Sequence, residues 1–308
     1  MDPLALPRLL SPGDRVRVVA PAGPVPPARL ERGLAWLRSL GLDVVEGDAL
    51  RARSGHGLDF VAGDDDQRRA DLVDGLLDPA TRAVIAARGG DGTPRLLDDL
   101  PWKELARAEP TIVAGLSDLT CLHQAVAARL GWASLWSPMP GTHVLGGDDP
   151  DEWSRAGLAA ALGVGAPRGV DLVGTTLRPG VAVSAPLVGG TMALLSAMAG
   201  TAGWQPATGA IAILEDVGER AYRIERFLTH LERAGFFDGC LGVAFGDLTD
   251  CAPQAQVEAT IADFVGRLGL PAVGGLSFGH GPRQASLWLG RSATLDPGTA
   301  SLHQALPT

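Results

Sequence analysis

The sequence has 308 residues, of which 46% are hydrophobic and 20% are charged, and its 26 basic and 35 acidic residues give a formal net charge of −9. This length predicts two domains of ordinary size or one large α/β unit with a substantial core. The acidic balance argues against a nucleic-acid partner, and no apolar stretch approaches the roughly 20 residues of a membrane helix. Three cysteines without a C-x-x-C pair indicate neither a disulfide framework nor a zinc ribbon. The N-terminal segment lacks the order of a secretory signal, which favours the cytoplasm.

In the first half of the chain, short apolar runs alternate with helical patterns, as is typical of parallel βαβ construction. The predicted elements are strand 16–20, a helix carrying Leu30, Leu34, Leu37 and Leu40, strand 43–46, a helix capped by Asp64, strand 83–87, strand 111–114 and helix 119–130. The last two strands each lead into a glycine-containing segment.

The pattern weakens between residues 146 and 182, which we predict to be a linker that contains one helix near 151–162. Alternation then resumes with strand 183–188, helix 191–198, strand 210–214, helix 220–234, strand 241–245, helix 254–268 and strands 271–273 and 286–289. The sequence therefore predicts an N-terminal domain over 1–145 and a C-terminal domain over 183–308.

Ligands of open α/β sheets bind at the carboxyl ends of strands, so residues directly after strands are the first candidates for a site. Residues 88–92 (RGGDG) can form an anion-binding nest, although tight glycine-rich turns are common. Ser117 follows the next strand and opens a helix, where free N–H groups and the helix dipole stabilise an alkoxide or an oxyanion. Helix capping explains a serine at this position equally well.

Acidic and imidazole side chains follow strands in the second half. Glu215, Asp216 and Glu219 lie at or just after a buried strand, where one carboxylate can orient a histidine and the others can cap the next helix. His280 lies in a glycine-rich loop after a later strand and is the preferred catalytic histidine, with His143 as second choice. The histidine spacings include no H-x-x-x-H pattern, which argues against a local metal site.

Five segments, taken in order, resemble the serine LD-carboxypeptidases, also called the muramoyltetrapeptide carboxypeptidase family. They are 13–24 (GDRVRVVAPAGP), 87–90 (ARGG), 115–120 (GLSDLT), 214–219 with 222–226 (LEDVGE and YRIER) and 278–282 (FGHGP). The resemblance covers nearly the whole chain. It implies an α/β fold with a flavodoxin-like N-terminal domain built on a parallel sheet, a smaller α/β C-terminal domain, and an active site in the cleft between them.

Carried over by position, the resemblance implies a metal-independent serine peptidase without a cofactor, whose triad is Ser117, Glu215 and His280. The backbone N–H groups of Gly90 and Asp118 are the expected oxyanion donors. The family's substrate is a cytoplasmic murein tetrapeptide, from which the enzyme releases the terminal D-alanine across an L,D-peptide bond. A homodimer is a further expectation from the family.

A carboxypeptidase must also recognise the free carboxylate of a small peptide, which requires a cation or a nest of N–H groups near the nucleophile. Arg88 is the first candidate for this contact, followed by Arg223 and Arg283. A salt bridge at the surface or between domains explains these arginines equally well.

Four positions depart from the family's usual residues: Asp91, Leu116, Ser137 and Thr191. They leave the triad intact but leave two alternatives to tetrapeptide hydrolysis open. One is a related immunity-type serine peptidase that hydrolyses a peptidyl-nucleotide antibiotic or another amide. The other is a catalytically silent peptide-binding protein, which the presence of all three triad residue types disfavours.

Overall fold

The computed structural model describes residues 4–166 and 169–307. Its helices are α1 (Pro27–Ser39), α2 (Asp65–Leu77), α3 (Trp102–Leu105), α4 (Thr120–Leu130), α5 (His143–Gly146), α6 (Glu152–Leu162), α7 (Met192–Met198), α8 (Ala221–Arg233) and α9 (Gln254–Leu268). Its strands are β1 (Arg15–Val19), β2 (Asp43–Glu46), β3 (Thr81–Ala86), β4 (Ile112–Gly115), β5 (Ser134–Trp136), β6 (Val170–Val173), β7 (Thr175–Arg178), β8 (Val183–Thr191), β9 (Ile211–Val217), β10 (Gly242–Thr249), β11 (Ala272–Gly274), β12 (Leu287–Leu289), β13 (Ser292–Asp296) and β14 (Ser301–Gln304). Among these described helices, none combines the length and the apolar character needed to cross a membrane.

Helix boundaries in the first half follow local sequence signals. Helix α1 has Pro27 in its first turn, and Gly41 follows its end with φ +82°, a conformation that favours glycine. A capping box between Asp64 and Gln67 satisfies backbone N–H groups at the start of α2. Helix α4 ends at Gly131, which adopts the left-handed conformation.

The first five strands form a parallel sheet in the order β2-β1-β3-β4-β5, which is the flavodoxin-like order. Strands β8, β9, β10 and β11 form a second parallel run. Strand β12 joins the two runs, because it pairs antiparallel with β5 and parallel with β8. The expected mixed α/β class with a large, mostly parallel sheet is confirmed.

The segment expected to be a linker, 146–182, contains two strands besides the expected helix. Positions 167 and 168 of this linker lie outside the described residues, as do residues 1–3 of the N-terminal segment. Strand β6 pairs with β14, and β7 pairs with β11, so both lie at sheet edges. Edge strands tolerate polar and exposed residues, and the alternating burial of β6 therefore produced no apolar run that sequence reasoning would detect.

Apolar packing is continuous between the two halves of the chain. One cluster of buried side chains includes Val19, Val113 and Leu116 from the first half together with Ile213 and Phe278 from the second. A second cluster lies mainly in the first half and includes Trp288 from the second, and a third cluster lies within the second half. The shared cluster and strand β12 hold the loops of both halves in a fixed relation.

Helix α1 packs closely on the loop that precedes α5, and this contact gives a stability prediction. A Cβ on Gly33 would lie 2.0 Å from the carbonyl oxygen of Pro140, whereas a Cβ on Gly266 of α9 would meet no atom within 4 Å. We expect Gly33→Ala to lower the free energy of unfolding by about 1–3 kcal/mol or more through overpacking. Gly266→Ala is the matched control and should raise that free energy by about 0.5–1 kcal/mol, because alanine is the better helix former. Denaturant unfolding of the two variants measures both changes, and equal stabilities would contradict the close packing at Gly33.

Candidate active site

Ser117 lies where β4 passes through a short 3₁₀ turn, Ser117–Leu119, into α4. Its backbone has φ +67°, a region that residues other than glycine seldom adopt. Gly89, in the turn after β3, lies directly against it, because a Cβ on Gly89 would be 2.7 Å from Cβ of Ser117. A strained serine between a strand and a helix is the arrangement of an exposed nucleophile, although the segment lacks the G-x-S-x-G pattern.

The side chains of Ser117, His280 and Glu215 form a continuous series of hydrogen bonds. Ser117 Oγ lies 3.0 Å from His280 Nε2, and His280 Nδ1 lies 2.7 Å from Glu215 Oε2. Because a carboxylate can only accept, Nδ1–H donates to Glu215, and the unprotonated Nε2 accepts from the Ser117 hydroxyl. The structure thus brings together three residues that are far apart in the sequence, in an arrangement suited to proton transfer from the serine.

The carboxylate of Glu215 is fully buried, at 0% exposure, on strand β9. Its second oxygen, Oε1, accepts a hydrogen bond from the Thr191 hydroxyl. The loop that carries His280 approaches Glu215 closely at Gly279, where a Cβ would lie 2.6 Å from Glu215 Oε2 and where φ is +109°. Both the space and the backbone conformation therefore require glycine next to His280.

The other two acidic candidates at the end of β9 have different partners. Asp216 accepts from the backbone N–H groups of Ala193 and Val217, and Glu219 forms an ion pair with Arg223. Burial raises the pKa of Asp216 to about 7. Of the three carboxylates that the sequence singled out, Glu215 is the one that contacts the histidine.

Opposing influences set the pKa of His280. Burial lowers it and is the largest single influence. The hydrogen bond to Glu215 and the negative charges of Glu215, Asp216 and Asp247 together outweigh burial, so the pKa is raised above its ordinary value of 6.5. The imidazole is therefore a stronger base than a free histidine.

Two backbone N–H groups near Ser117 are available to a ligand. Neither the N–H of Gly90 nor that of Asp118 donates a hydrogen bond within the described part of the chain. The Asp118 nitrogen lies beside Gly89, since a Cβ on Gly89 would be 3.4 Å away from it. The Asp118 carboxylate is buried beneath this turn and accepts from the Thr93 N–H, and burial raises its pKa to about 6.

A cavity of about 320 Å³ opens over these groups and is lined by Arg88, Gly89, Gly90, Leu116, Ser117, Met139, Thr142, His143, Val217, His280 and Gln284. Arg88 thus lies at the cavity, and its guanidinium donates to the Pro24 carbonyl at 2.7 Å. Arg223 and Arg283 are absent from the described residues that line it. Arg223 pairs with Glu219, whereas Arg283 lies 3.8 Å from a carboxylate oxygen of Asp151.

Sequence reasoning missed the contribution of the loop after β5. This loop supplies Met139, Thr142 and His143 to the cavity wall. Its three-residue strand was not predicted, so its strand-end loop was not examined as a site. His143 had been a second choice for the catalytic histidine, but it lies in the wall, and its pKa is lowered by burial and then by the charges of Arg29 and His280.

No group of three His, Cys, Asp or Glu side chains within residues 4–166 and 169–307 is arranged to hold a metal ion. The groups described above can instead perform nucleophilic chemistry with the chain's own side chains. A serine hydroxyl, a histidine base and free N–H donors meet at one cavity, which is what acyl transfer requires.

Comparisons with known proteins agree with this arrangement. Residues 16–137 match the model of the LD-carboxypeptidase N-terminal domain, and residues 184–295 match that of the LD-carboxypeptidase C-terminal domain. A relative from Streptomyces coelicolor is 42% identical over 304 residues, which cover 98% of this chain and 96% of the relative. The murein tetrapeptide carboxypeptidase of Pseudomonas aeruginosa is 31% identical over 299 residues, which cover 92% of this chain and 93% of that protein.

Solved structures with the same fold include two proteins of different activity. The muramoyltetrapeptide carboxypeptidase from Oxalobacter formigenes superposes with a TM-score of 0.82 at 28% identity, over 94% of this chain and 97% of its own. The microcin C7 self immunity protein MccF, in complex with glutamyl sulfamoyl guanosine, superposes with a TM-score of 0.82 at 20% identity, over 99% of both chains. At that identity the second likeness concerns the fold alone.

The raised pKa of His280 predicts how the reactivity of Ser117 depends on pH. Only the neutral imidazole can accept the serine proton, so the rate at which a phosphonofluoridate labels Ser117 should increase with pH through a midpoint above 6.5. Mass spectrometry of the intact protein at a series of pH values measures this rate, and Ser117→Ala shows how much label goes elsewhere. A midpoint at or below 6.5 would mean that burial, and not the surrounding carboxylates, dominates the pKa of His280.

Proposed function

The chain belongs to the LD-carboxypeptidase family of serine peptidases, and from this premise we propose that it removes the terminal D-alanine from murein tetrapeptides during murein recycling. The observation that carries the proposal is the hydrogen-bonded series Ser117, His280 and Glu215 at the cavity. The domain organisation expected from the sequence is part of the same proposal: the nucleophile comes from the N-terminal part, and the acid and the base come from the C-terminal part.

In the proposed mechanism, His280 Nε2 removes the proton from the Ser117 hydroxyl as Oγ attacks the carbonyl carbon of the L,D-peptide bond. Glu215 holds the imidazole through Nδ1 and stabilises its charged form. The imidazolium then protonates the leaving amine, so that D-alanine departs and an ester to Ser117 remains. Water, deprotonated by the same histidine, attacks the ester carbonyl, and the imidazolium then protonates Ser117 Oγ as the bond to the acyl group breaks and the tripeptide leaves.

The oxyanion of each tetrahedral intermediate requires donors close to Ser117. We assign this role to the backbone N–H groups of Gly90 and Asp118, because both lack an acceptor within the described structure and both flank the nucleophile. Leu116, Met139 and Val217 contribute apolar surface to the cavity wall beside these donors.

We assign recognition of the substrate's terminal carboxylate to Arg88. Of the three arginines that the sequence offered, Arg88 lines the cavity, and one of its terminal nitrogens is fixed by the Pro24 carbonyl. This anchoring leaves the rest of the guanidinium free to bind a carboxylate. The neighbouring His143 has a pKa lowered by burial, so it adds little positive charge near pH 7, whereas the guanidinium of Arg88 is charged at every relevant pH.

A direct assay tests the proposed reaction. Purified protein should release D-alanine from a tetrapeptide made of L-alanine, γ-linked D-glutamate, a diamino acid and D-alanine. Ser117→Ala should reduce the rate by about 10³-fold or more, because loss of the nucleophile disables the whole triad. A tetrapeptide that ends in L-alanine is the matched substrate control, and a circular dichroism spectrum confirms that the variant is folded.

The same assay distinguishes the two alternative functions. Ser117-dependent hydrolysis of an aminoacyl-sulfamoyl or aminoacyl-phosphoramidate nucleoside, without release of D-alanine, would favour the immunity-type reaction. Binding of the tetrapeptide without turnover of either compound, and without labelling of Ser117, would favour a silent binding protein.

The role of Arg88 predicts a specific change in substrate binding. Arg88→Met should raise KM for the tetrapeptide by about 10-fold to 100-fold, because a charge-assisted hydrogen bond to the carboxylate is lost. The variant should also lose its preference for the free acid over the C-terminal amide of the same peptide. Arg82→Met is the control and should leave KM unchanged, because Arg82 pairs with Glu109 and lies near the start of β3, whereas Arg88 follows the end of that strand. An equal rise in KM for Arg223→Met or Arg283→Met, with none for Arg88→Met, would show that the carboxylate binds elsewhere.

A further inference from the structure

Two threonines connect Ser117 to Glu215 by a route that does not pass through His280. Thr120, in the first turn of α4, donates from Oγ1 to the Ser117 carbonyl oxygen at 2.7 Å. The same Oγ1 accepts the Thr191 backbone N–H at 3.1 Å. The Thr191 hydroxyl in turn donates to Glu215 Oε1.

Together with the two hydrogen bonds of His280, these contacts close a ring that runs through Ser117, Thr120, Thr191, Glu215 and His280. The ring crosses between the two halves of the chain twice, once at Ser117 and His280 and once at Thr120 and Thr191. Serine and histidine thus meet at one crossing, and two threonines hold the same halves together at the other.

The second crossing is closely packed and dry. Thr120 is fully buried, and Thr191 has 3% of its surface exposed. Gly190, with φ +143°, lies so near that a Cβ there would be 2.7 Å from Thr120 Oγ1 and 2.9 Å from the Trp136 ring. Water therefore has no room to replace a hydroxyl that is removed from this contact.

We propose that Thr120 and Thr191 are positioning residues, which fix the backbone of Ser117 and the carboxylate of Glu215 relative to each other. The inference rests on the proposed catalytic role of Ser117, His280 and Glu215, and it adds two residues that touch no reacting atom. The Thr191 hydroxyl donates a hydrogen bond to Oε1 of Glu215, and this bond keeps Oε2 directed toward His280.

The chemistry of a buried carboxylate explains why this hydroxyl matters. Glu215 has two equivalent oxygens and one histidine to face, so its rotation is fixed only when a second donor binds the other oxygen. Without that donor, a buried charged oxygen has no partner, which is costly in a poorly hydrated environment. The carboxylate must then turn or share its charge differently, and the imidazole loses its orientation.

The charges around this site come from several elements. His280 faces Glu215 and Asp216 of β9 and Asp247 of β10, and it also influences His143 of α5. Burial is the main cause of the raised pKa of Asp247 and of the Cys251 thiol, and the negative charge of Glu215 adds to both shifts. Removal of the Thr191 hydroxyl leaves more negative charge on the oxygen that faces His280, so protonated imidazole is favoured.

The test compares Thr191→Val, which keeps the shape and removes the hydroxyl, with Thr191→Ser, which keeps the hydroxyl. For Thr191→Val we expect kcat for D-alanine release to fall by about 10-fold to 100-fold with KM almost unchanged, as for a lost hydrogen bond to a charged group. The rate of phosphonofluoridate labelling at Ser117 should fall in parallel, and its pH midpoint should move upward. Thr191→Ser should restore kcat to within about 3-fold of the original.

Two further variants separate positioning from general stability. Thr81→Val removes the hydroxyl of an equally buried threonine at the start of β3, whose partner is Asp78, and should change neither kcat nor the pH midpoint. Thr120→Val cuts the ring at its other threonine and should lower the labelling rate as well. It also provides the test if Thr191→Val fails to fold.

The outcomes distinguish this inference from the proposed function. If Ser117→Ala abolishes turnover and labelling while folded Thr191→Val and Thr120→Val keep the original kcat and pH midpoint, the threonines have no positioning role and the triad stands. An equal loss in Thr191→Ser and Thr191→Val would also overturn the inference, because the hydroxyl would then be irrelevant. If Ser117→Ala retains turnover and labelling, the proposed function itself is wrong.

Discussion

The fully buried carboxylate of Glu215 is the constraint on which the organisation of this protein depends. An unpaired charge in the interior costs several kcal/mol, about 3–5 kcal/mol when one partner of a buried pair is lost, so the fold must provide donors to both of its oxygens. His280 supplies one and Thr191 supplies the other. His280 lies in the loop after β11, and Thr191 is the last residue of β8. One acidic side chain therefore constrains the positions of two separate segments. The glycines at 190 and 279 follow from the same constraint, since each allows a backbone to approach this group of side chains.

The connection between the two halves of the chain is the second consequence. Ser117 and His280 are 163 positions apart, yet their side-chain atoms are 3.0 Å apart. A contact of this kind is maintained only by a rigid joint, and strand β12 provides one by pairing with β5 on one side and β8 on the other. The shared apolar cluster adds side-chain packing to these backbone hydrogen bonds.

The strained backbone of Ser117 is sustained by the same surroundings, as is common where a nucleophile must project from a turn.

The sequence predicted the fold class correctly and named candidate site residues, but several elements around them were not predicted. The series of strands and amphipathic helices from residue 16 to 130 was recognisable because buried parallel strands are continuously apolar and their helices have a regular apolar face. Edge strands such as β6 and β7, and the three-residue strand β5, carry too little apolar pattern to stand out. Ser117 and His280 stood out because each lies in a glycine-containing segment after a strand, whereas Glu215 was one of three acidic candidates and was selected through the family resemblance. Thr191 was noted only as a departure from the family's usual residue, and Thr120 was not singled out, because the partners of both are known only once the halves are joined.

The distribution of charge explains how an acidic protein can process an acidic peptide. The net charge of −9 repels a substrate carboxylate at long range, but screening reduces that repulsion beyond about 8 Å at physiological ionic strength. Under the proposed function, the guanidinium of Arg88 at the cavity acts on the carboxylate at short range, so its effect exceeds that of distant surface charges. The acidic groups nearest the cavity serve a different purpose. Glu215, Asp216 and Asp247 raise the pKa of His280, and the imidazole is therefore a stronger base. It is mostly neutral, and so able to accept a proton, only at a pH above this raised pKa. Because the carboxylates contact or surround His280 and Arg88 lines the cavity, the proposed function can assign proton removal and carboxylate binding to separate groups of one small cavity.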